Sequence, residues 1–347
     1  MIIFLLVLSI LFVVSTIATW VKLDHWIIRA FDFPYIQFSL LGLAIIILWL
    51  INGVDEVEEI MLLTLNTGFF IYRLTVIYPY TPIRKPALLW NKTDEVSVKF
   101  LTANVLMTNT DYAGFLEVEK AADPDIFMLV EVSHEWSEYV EEHLAKKYEY
   151  RISHPIDNTY GIMMYSKLKL LDDEIQFLID EEVPSIHCKI QMRTGELVQF
   201  FGLHPKPPAP GENKWSTPRD AELVLAGNMA RDSDLPVIVA GDMNDVAWSH
   251  TTRLFMRISG LLDPRMGRGL FNTFHAQKKL LRWPLDHIFL SEHFQVRSIK
   301  KLNNFGSDHY PICLELVLKE SQQAKEEIEY PDSEDLEEAE EKLESAT

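Results

Sequence analysis

Three apolar stretches inside the first eighty residues constrain this chain more than any other feature, because each needs lipid or other protein to cover it. The first, residues 1–21, carries no charge and at ~20 residues is long enough to cross a bilayer. It lacks the basic n-region and small-residue cleavage site of a signal peptide, so an uncleaved span is expected. The second covers residues 35–51 and the third residues 60–80. The third contains Arg73, which lies toward Tyr78-Pro79-Tyr80 and is expected to snorkel to the interface. About three spans are predicted. Lys22 and Arg29 separate the first two, whereas the connection to the third holds only Asp55, Glu56, Glu58 and Glu59. Arg84, Lys85 and Lys92 follow the third. Counting Lys and Arg alone, the rest of this multi-pass plasma-membrane protein falls, by a small margin, on the cytoplasmic side.

Beyond residue 80 the pattern changes. A Pro- and Lys-containing linker, 81–94, leads into a domain at 95–318 where strand and helix signals interleave. Val96, Val98, Phe100 and Thr102 alternate at period two toward Asn104, and an apolar strand follows at 125–131. Further strands are predicted at 161–165, 186–192, 198–204, 236–240, 285–290 and 311–318, with helices near 115–122, 218–230 and 249–258. Many strands with few helices indicate an α/β sandwich rather than a strictly alternating parallel fold. Residues 319–347 hold 12 Asp/Glu against 3 Lys/Arg and are expected to form an acidic, disordered tail. The net charge of −19 argues against a protein that coats nucleic acid. Cys188 and Cys313 fall in apolar runs and are expected to be buried free thiols.

Several apolar strands end in residues that suit metal ligation or acid–base work. Asn104 closes one, Glu131 ends Phe127-Met128-Leu129-Val130, and His204 ends Phe200-Phe201-Gly202-Leu203. Asp242 and Asn244 follow Val237-Ile238-Val239-Ala240-Gly241; Asp286 and His287 sit within Pro284-Leu285-Asp286-His287-Ile288-Phe289; Ser307-Asp308-His309 precedes the last strand. One such residue can cap a turn or start a helix. Six such features in one domain are costly unless paired or metal-bound. Carboxylate and amide oxygens without a Cys–His cluster select Mg²⁺ or Mn²⁺ over zinc. With two histidines and an Asp-x-Asn pair, they supply what phosphoester hydrolysis needs.

In order, Asn104, Glu131, Gly241-Asp242-Met243-Asn244, Leu285-Asp286-His287 and Gly306-Ser307-Asp308-His309 resemble the motifs of the endonuclease/exonuclease/phosphatase superfamily. With the N-terminal spans, the chain resembles a bacterial membrane-anchored branch that includes VanJ-type proteins. The resemblance implies a four-layer sandwich of two mixed β-sheets flanked by helices. It also implies Asn104, Glu131 and Asp308 as metal ligands, and Asp242 as the residue that orients or deprotonates the attacking water. Asn244 would contact phosphate or nucleophile, His309 would cover a phosphoryl oxygen, and Asp286 would orient that ring. His204 matches the mid-domain histidine of the nuclease and sphingomyelinase branches. Leu106 stands where abasic endonucleases carry an aspartate, which argues against that branch.

The expectation is a membrane-anchored, Mg²⁺- or Mn²⁺-dependent phosphoesterase acting by in-line water attack on a phosphomono- or phosphodiester or a lipid pyrophosphate. A DNA or RNA nuclease is the alternative within the class, and a catalytically dead, membrane-tethered scaffold the alternative outside it. Arg265, Arg268, Lys278, Lys279 and Arg282 form a basic run able to grip a nucleic-acid backbone or lipid headgroups. Arg219 could point an anion-binding guanidinium at the site, or be an ordinary surface arginine.

Overall fold

Strands covered on both faces read as unbroken apolar runs, and the central strands of this domain do so for that reason. The computed structural model describes residues 2–346. Its first sheet holds β1 (Ser97–Asn104), β2 (Ile126–Val130), β3 (Tyr150–His154), β4 (Ile162–Ser166), β10 (Phe294–Lys301) and β11 (Ile312–Leu318) in the order β10-β11-β1-β2-β4-β3. The second holds β5 (Leu170–Gln176), β6 (Ser185–Gln191), β7 (Leu197–Leu203), β8 (Val237–Asp242) and β9 (Asp286–Leu290) in chain order. Both sheets are mixed: β1 and β2 are parallel, β7 and β8 are parallel, and the other pairs are antiparallel.

Alternation within each strand builds the layers. Phe100, Met128, Phe200, Ile238 and Ile288 meet in one core between the sheets. Their neighbours Leu101 and Phe127 face outward against α5 (Tyr112–Ala122) and α6 (His134–Leu144) through Phe115 and Trp136. On the other side Phe201, Val239 and Phe289 pack against α7 (Thr217–Arg231) and α8 (His250–Ser259) through Leu223, Ala226 and Phe255. This is the four-layer sandwich.

The N-terminal region is a helical bundle of α1 (Ile2–Ala18), α3 (Tyr35–Asn52) and α4 (Val57–Ile77), with a single turn, α2 (Trp26–Arg29), between the first two. Phe12 lies so close to Gly42 that a Cβ there would sit 2.5 Å from its ring. Two helical segments, Tyr35–Asn52 and Val57–Tyr80, are long and apolar enough to cross a membrane. The first predicted span yields a shorter helix of 17 residues, because the chain turns after Ala18. Arg73 does not snorkel. It is fully buried in the bundle, donating to Thr16 Oγ1 (2.9 Å), Ser15 Oγ (3.1 Å) and the Tyr35 carbonyl (3.2 Å), with its guanidinium 4.3 Å from the Tyr35 ring centre.

Two further segments depart from expectation. The linker lies along β10, where Asn91 N donates to Val296 O and Ala87 and Leu88 are fully buried. The acidic tail forms α9 (Gln322–Glu326) and α10 (Ser333–Ala346). Ala339 and Leu343 of α10 pack on Val224, Leu254 and Ile258, and Arg257 donates to both oxygens of Asp335 (2.6 Å each). Its acids therefore meet cations of the domain rather than only water. The two cysteines are buried and free, as expected.

Candidate active site

The C-terminal ends of the two parallel strand pairs face each other across the sandwich, and the predicted strand-end residues converge there. Asn104 Nδ2, at the end of β1, donates to Glu131 Oε1 (2.6 Å) and Asp242 Oδ2 (3.0 Å), so one amide ties β1, β2 and β8 together. His309 lies between two carboxylates, with Nδ1 2.8 Å from Asp286 Oδ2 and Nε2 3.5 Å from Asp242 Oδ2. His204 Nδ1 is 3.1 Å from the Asp242 carbonyl, and its ring lies beside Tyr160. Asn244 turns back to donate from Nδ2 to Pro205 O (3.0 Å), while its backbone N–H donates to Asp242 Oδ1 (3.0 Å). Asp308 borders the cluster; its backbone carbonyl accepts from Ala276 N (2.6 Å).

The backbone is bent to hold this. Glu131 and Asn244 have φ of 59° and 51°, a left-handed conformation that costs a side-chain-bearing residue about 1–3 kcal/mol and persists only where surroundings enforce it. Gly241, at φ 148°, passes so near β7 that any Cβ would collide with the Leu203 carbonyl. Only glycine fits there.

Burial opposes charge on His309, but Asp286 and Asp242 together outweigh it and raise the imidazole to about 10. The two carboxylates favour the protonated ring. Burial pushes Glu131 up from its ordinary range, against the pull of His204, the Asn104 amide and His309. Asp286 Oδ1 and Asp308 Oδ1 are buried with no hydrogen-bond partner among the described residues. Donor atoms of Asp242, Asp286 and His309 lie within 4.8 Å of one another and form a group able to hold a metal ion. His309 already pairs with both of those carboxylates, and Asn104 and Glu131 adjoin the group through Asp242. The unpartnered oxygens of Asp286 and Asp308 suit a hard divalent cation.

Several residues singled out in the sequence take supporting roles that the sequence did not assign them. Arg219 is 1% exposed and turns inward, away from solvent. It donates to Asn244 O (3.0 Å) and Asp220 Oδ1 (2.7 Å) and pairs with Asp245 Oδ2 (3.1 Å), fixing the loop that carries Asp242 and Asn244. Ser307 Oγ donates to Asn104 O (2.7 Å), joining the last motif to the first. Arg265 Nη2 meets His287 Nδ1 (2.6 Å), and His287 Nε2 donates to Asp245 O (2.9 Å), bracing β9 where Asp286 begins it. The predicted basic run is thereby dispersed. Arg265 is buried on Asp263, Arg268 packs 4.1 Å from the Trp90 ring centre, and Arg282 donates to Ala276 O and Tyr310 Oη. Lys278 and Lys279 stay exposed.

The sequence pattern that describes the Endonuclease/Exonuclease/phosphatase family matches residues 101–309, the whole stretch from β1 to the catalytic-type histidine. This chain belongs to that family. Solved structures of the family's fold agree. The D. rerio TDP2 bound to a single-strand DNA product is 17% identical over 64% of this chain and 100% of its own, with a TM-score of 0.52. The human Nocturnin catalytic domain with bound sulfate is 18% identical over 65% and 96%, with a TM-score of 0.52. An endonuclease/exonuclease/phosphatase family protein from Bacteroides thetaiotaomicron is 20% identical over 65% and 100%, with a TM-score of 0.51. At these identities the likeness is one of fold. No curated protein matches the sequence. Members of the endonuclease/exonuclease/phosphatase family hydrolyse phosphoester bonds, generally with divalent metals.

Proposed function

We propose that this protein is a membrane-anchored, Mg²⁺- or Mn²⁺-dependent phosphoesterase whose substrates are membrane-borne or small phosphoesters. The observation that carries the reading is His309 set between Asp242 and Asp286, next to carboxylate oxygens of Asp286 and Asp308 that have no partner among the described residues. Glu131, Asn104 and Asp308 would hold a divalent ion, which would supply positive charge to offset the phosphoryl oxygens. Asp242 orients the attacking water and takes its proton as the new P–O bond forms in line with the departing ester oxygen. His309 donates its Nε2 proton in a hydrogen bond to a non-bridging oxygen, and Asp286 holds the ring for that contact. Asn244 faces phosphate or nucleophile from the loop that Arg219 braces. His204 spends Nδ1 on the Asp242 carbonyl, which leaves Nε2 for the substrate.

Anchoring rests on the two membrane-length helices and on the large apolar side chains their bundle leaves exposed, among them Leu40, Leu50 and Val57. The Lys/Arg count around them favours a cytoplasmic catalytic domain. A dead scaffold has no use for the complete set of Glu131, Asp242, Asn244, Asp286 and His309. A nuclease is disfavoured because residues 93–318 carry 33 Asp/Glu against 23 Lys/Arg and the arginines of the basic run, Arg265, Arg268 and Arg282, are spent on internal contacts. The experiment compares kcat/KM for a lipid phosphate or pyrophosphate in detergent with nicking of supercoiled plasmid at matched Mg²⁺ and moderate salt. Preference for the lipid substrate is expected; efficient, salt-sensitive plasmid cleavage without lipid turnover contradicts the reading.

A further inference from the structure

A loop of the catalytic domain reaches the level at which the helices would enter lipid. Residues 277–281, in the connection between α8 and β9, form an exposed turn. At its tip Leu280 is 83% exposed and Leu281 44%, next to exposed Lys278 and Lys279. Two adjacent leucines bared to water beside two lysines gain nothing for a soluble domain. Gln37, two residues into α3, donates from Nε2 to Leu280 O (2.8 Å), which places this tip beside the start of a membrane-length helix. The plane is marked by exposed Trp20 and Tyr78 near the same ends of α1 and α4, the side chains that favour a bilayer interface.

The base of the turn is built onto the catalytic centre. Ala276 N donates to Asp308 O (2.6 Å), and Gln277 Nε2 donates to Ser307 O (2.7 Å). The Phe274 ring lies 5.0 Å from His309, Trp283 lies 6.0 Å from Phe274, and Phe33 packs edge-on to Trp283 at 5.5 Å. A continuous line of rings thus runs from the catalytic-type histidine to the segment that enters α3.

We infer that residues 277–281 insert into the bilayer interface, Leu280 and Leu281 among the upper acyl chains and Lys278 and Lys279 on anionic headgroups, so that the active-site mouth opens onto the lipid surface. The insertion rests on the membrane anchoring proposed above. It makes phosphates carried by lipids the natural substrates, since these reach the site without leaving the membrane plane.

The test uses the full chain in nanodiscs of phosphatidylcholine and phosphatidylglycerol, with single labels at Leu280→Cys, Leu50→Cys in α3, and Thr194→Cys at the β6–β7 turn. Both native thiols are buried. An environment-sensitive fluorophore at Leu280 and at Leu50 should be quenched by spin-labelled lipid, and one at Thr194 should not. Quenching at Leu50 without quenching at Leu280 overturns the insertion while the anchoring stands. No quenching at Leu50 overturns both. In the same discs Lys278→Glu with Lys279→Glu should lower kcat/KM for a lipid-borne phosphate by at least about fivefold, the worth of one lysine at an anionic surface, and leave hydrolysis of soluble bis-p-nitrophenyl phosphate unchanged. Equal losses on both substrates, or no loss on either, contradict the inference.

Discussion

Two groups of buried charge lie on opposite sides of the loop from Asp242 to Asp245, and they are built in opposite ways. Behind the loop, Asp24, Asp32, Asp220 and Asp245 face Arg29, Arg219 and Lys342, four carboxylates against three cations. Asp220 accepts from Arg219, Lys342 and Ser216, and Asp24 from Arg29, Lys342 and Thr217. In front of it, Glu131, Asp242, Asp286 and Asp308 face His309, and among the described residues two of their carboxylate oxygens lack any partner. In the rear group every cation is engaged by carboxylates of the chain itself. A site with surplus negative charge and unpartnered oxygens is shaped for a cation and a substrate from outside.

The comparison predicts opposite responses to substitution. Arg219→Met should cost about 3–5 kcal/mol of stability in chemical denaturation, because Asp220 and Asp245 stay buried without their main partner. A loss under about 1 kcal/mol would show that the rear network is not the structural support described here. His309→Ala should lower turnover roughly 10²-fold or more in the folded protein, and Asp242→Asn similarly. Near-normal rates in His309→Ala would break the distinction from the front.

Charge on His309 is stabilised by Asp286 and Asp242, so its contribution is complete below the ordinary histidine value of 6.5 and is lost as pH rises through about 10. The alkaline limb of the rate profile should therefore lie near the upper value, and Asp286→Asn should move it to lower pH. An unmoved limb would mean that another group titrates there. The smallest effect concerns Glu131, whose raised carboxyl is a charge the metal-free fold holds at a cost above its ordinary value. Glu131→Gln should stabilise the metal-free protein by about 0.5–2 kcal/mol while weakening the thermal shift that Mg²⁺ produces. Destabilisation of the metal-free form would place Glu131 with the rear network instead.

The sequence made the interior strands legible because burial on both faces leaves a plain apolar run, as in Val237-Ile238-Val239-Ala240. It did not reveal β3, β5 and β10, which are three of the sheets' outer strands and carry polar residues such as Asp172-Asp173-Glu174. The helix α6 also escaped notice, though Ser133 as a cap and Trp136, Val140 and Leu144 on one stripe were there to be read. Composition misled at the tail, where the acids of α10 hide Ala339 and Leu343 and the cations they meet lie far away in the chain. Site residues stood out because each interrupts an apolar strand end. Their supports did not, since Arg219 needs Asp220, Asp245 and Asn244 brought together by folding before its position has meaning.

The most direct test of the account is hydrolysis of bis-p-nitrophenyl phosphate by the full chain before and after removal of divalent metal. Turnover should require Mg²⁺ or Mn²⁺, vanish in EDTA, return when the ion is restored, and demand more ion in Glu131→Gln than in the unaltered protein. Undiminished turnover in EDTA, or the same ion requirement in both proteins, would contradict the claim that the surplus charge around Glu131 exists to hold a metal.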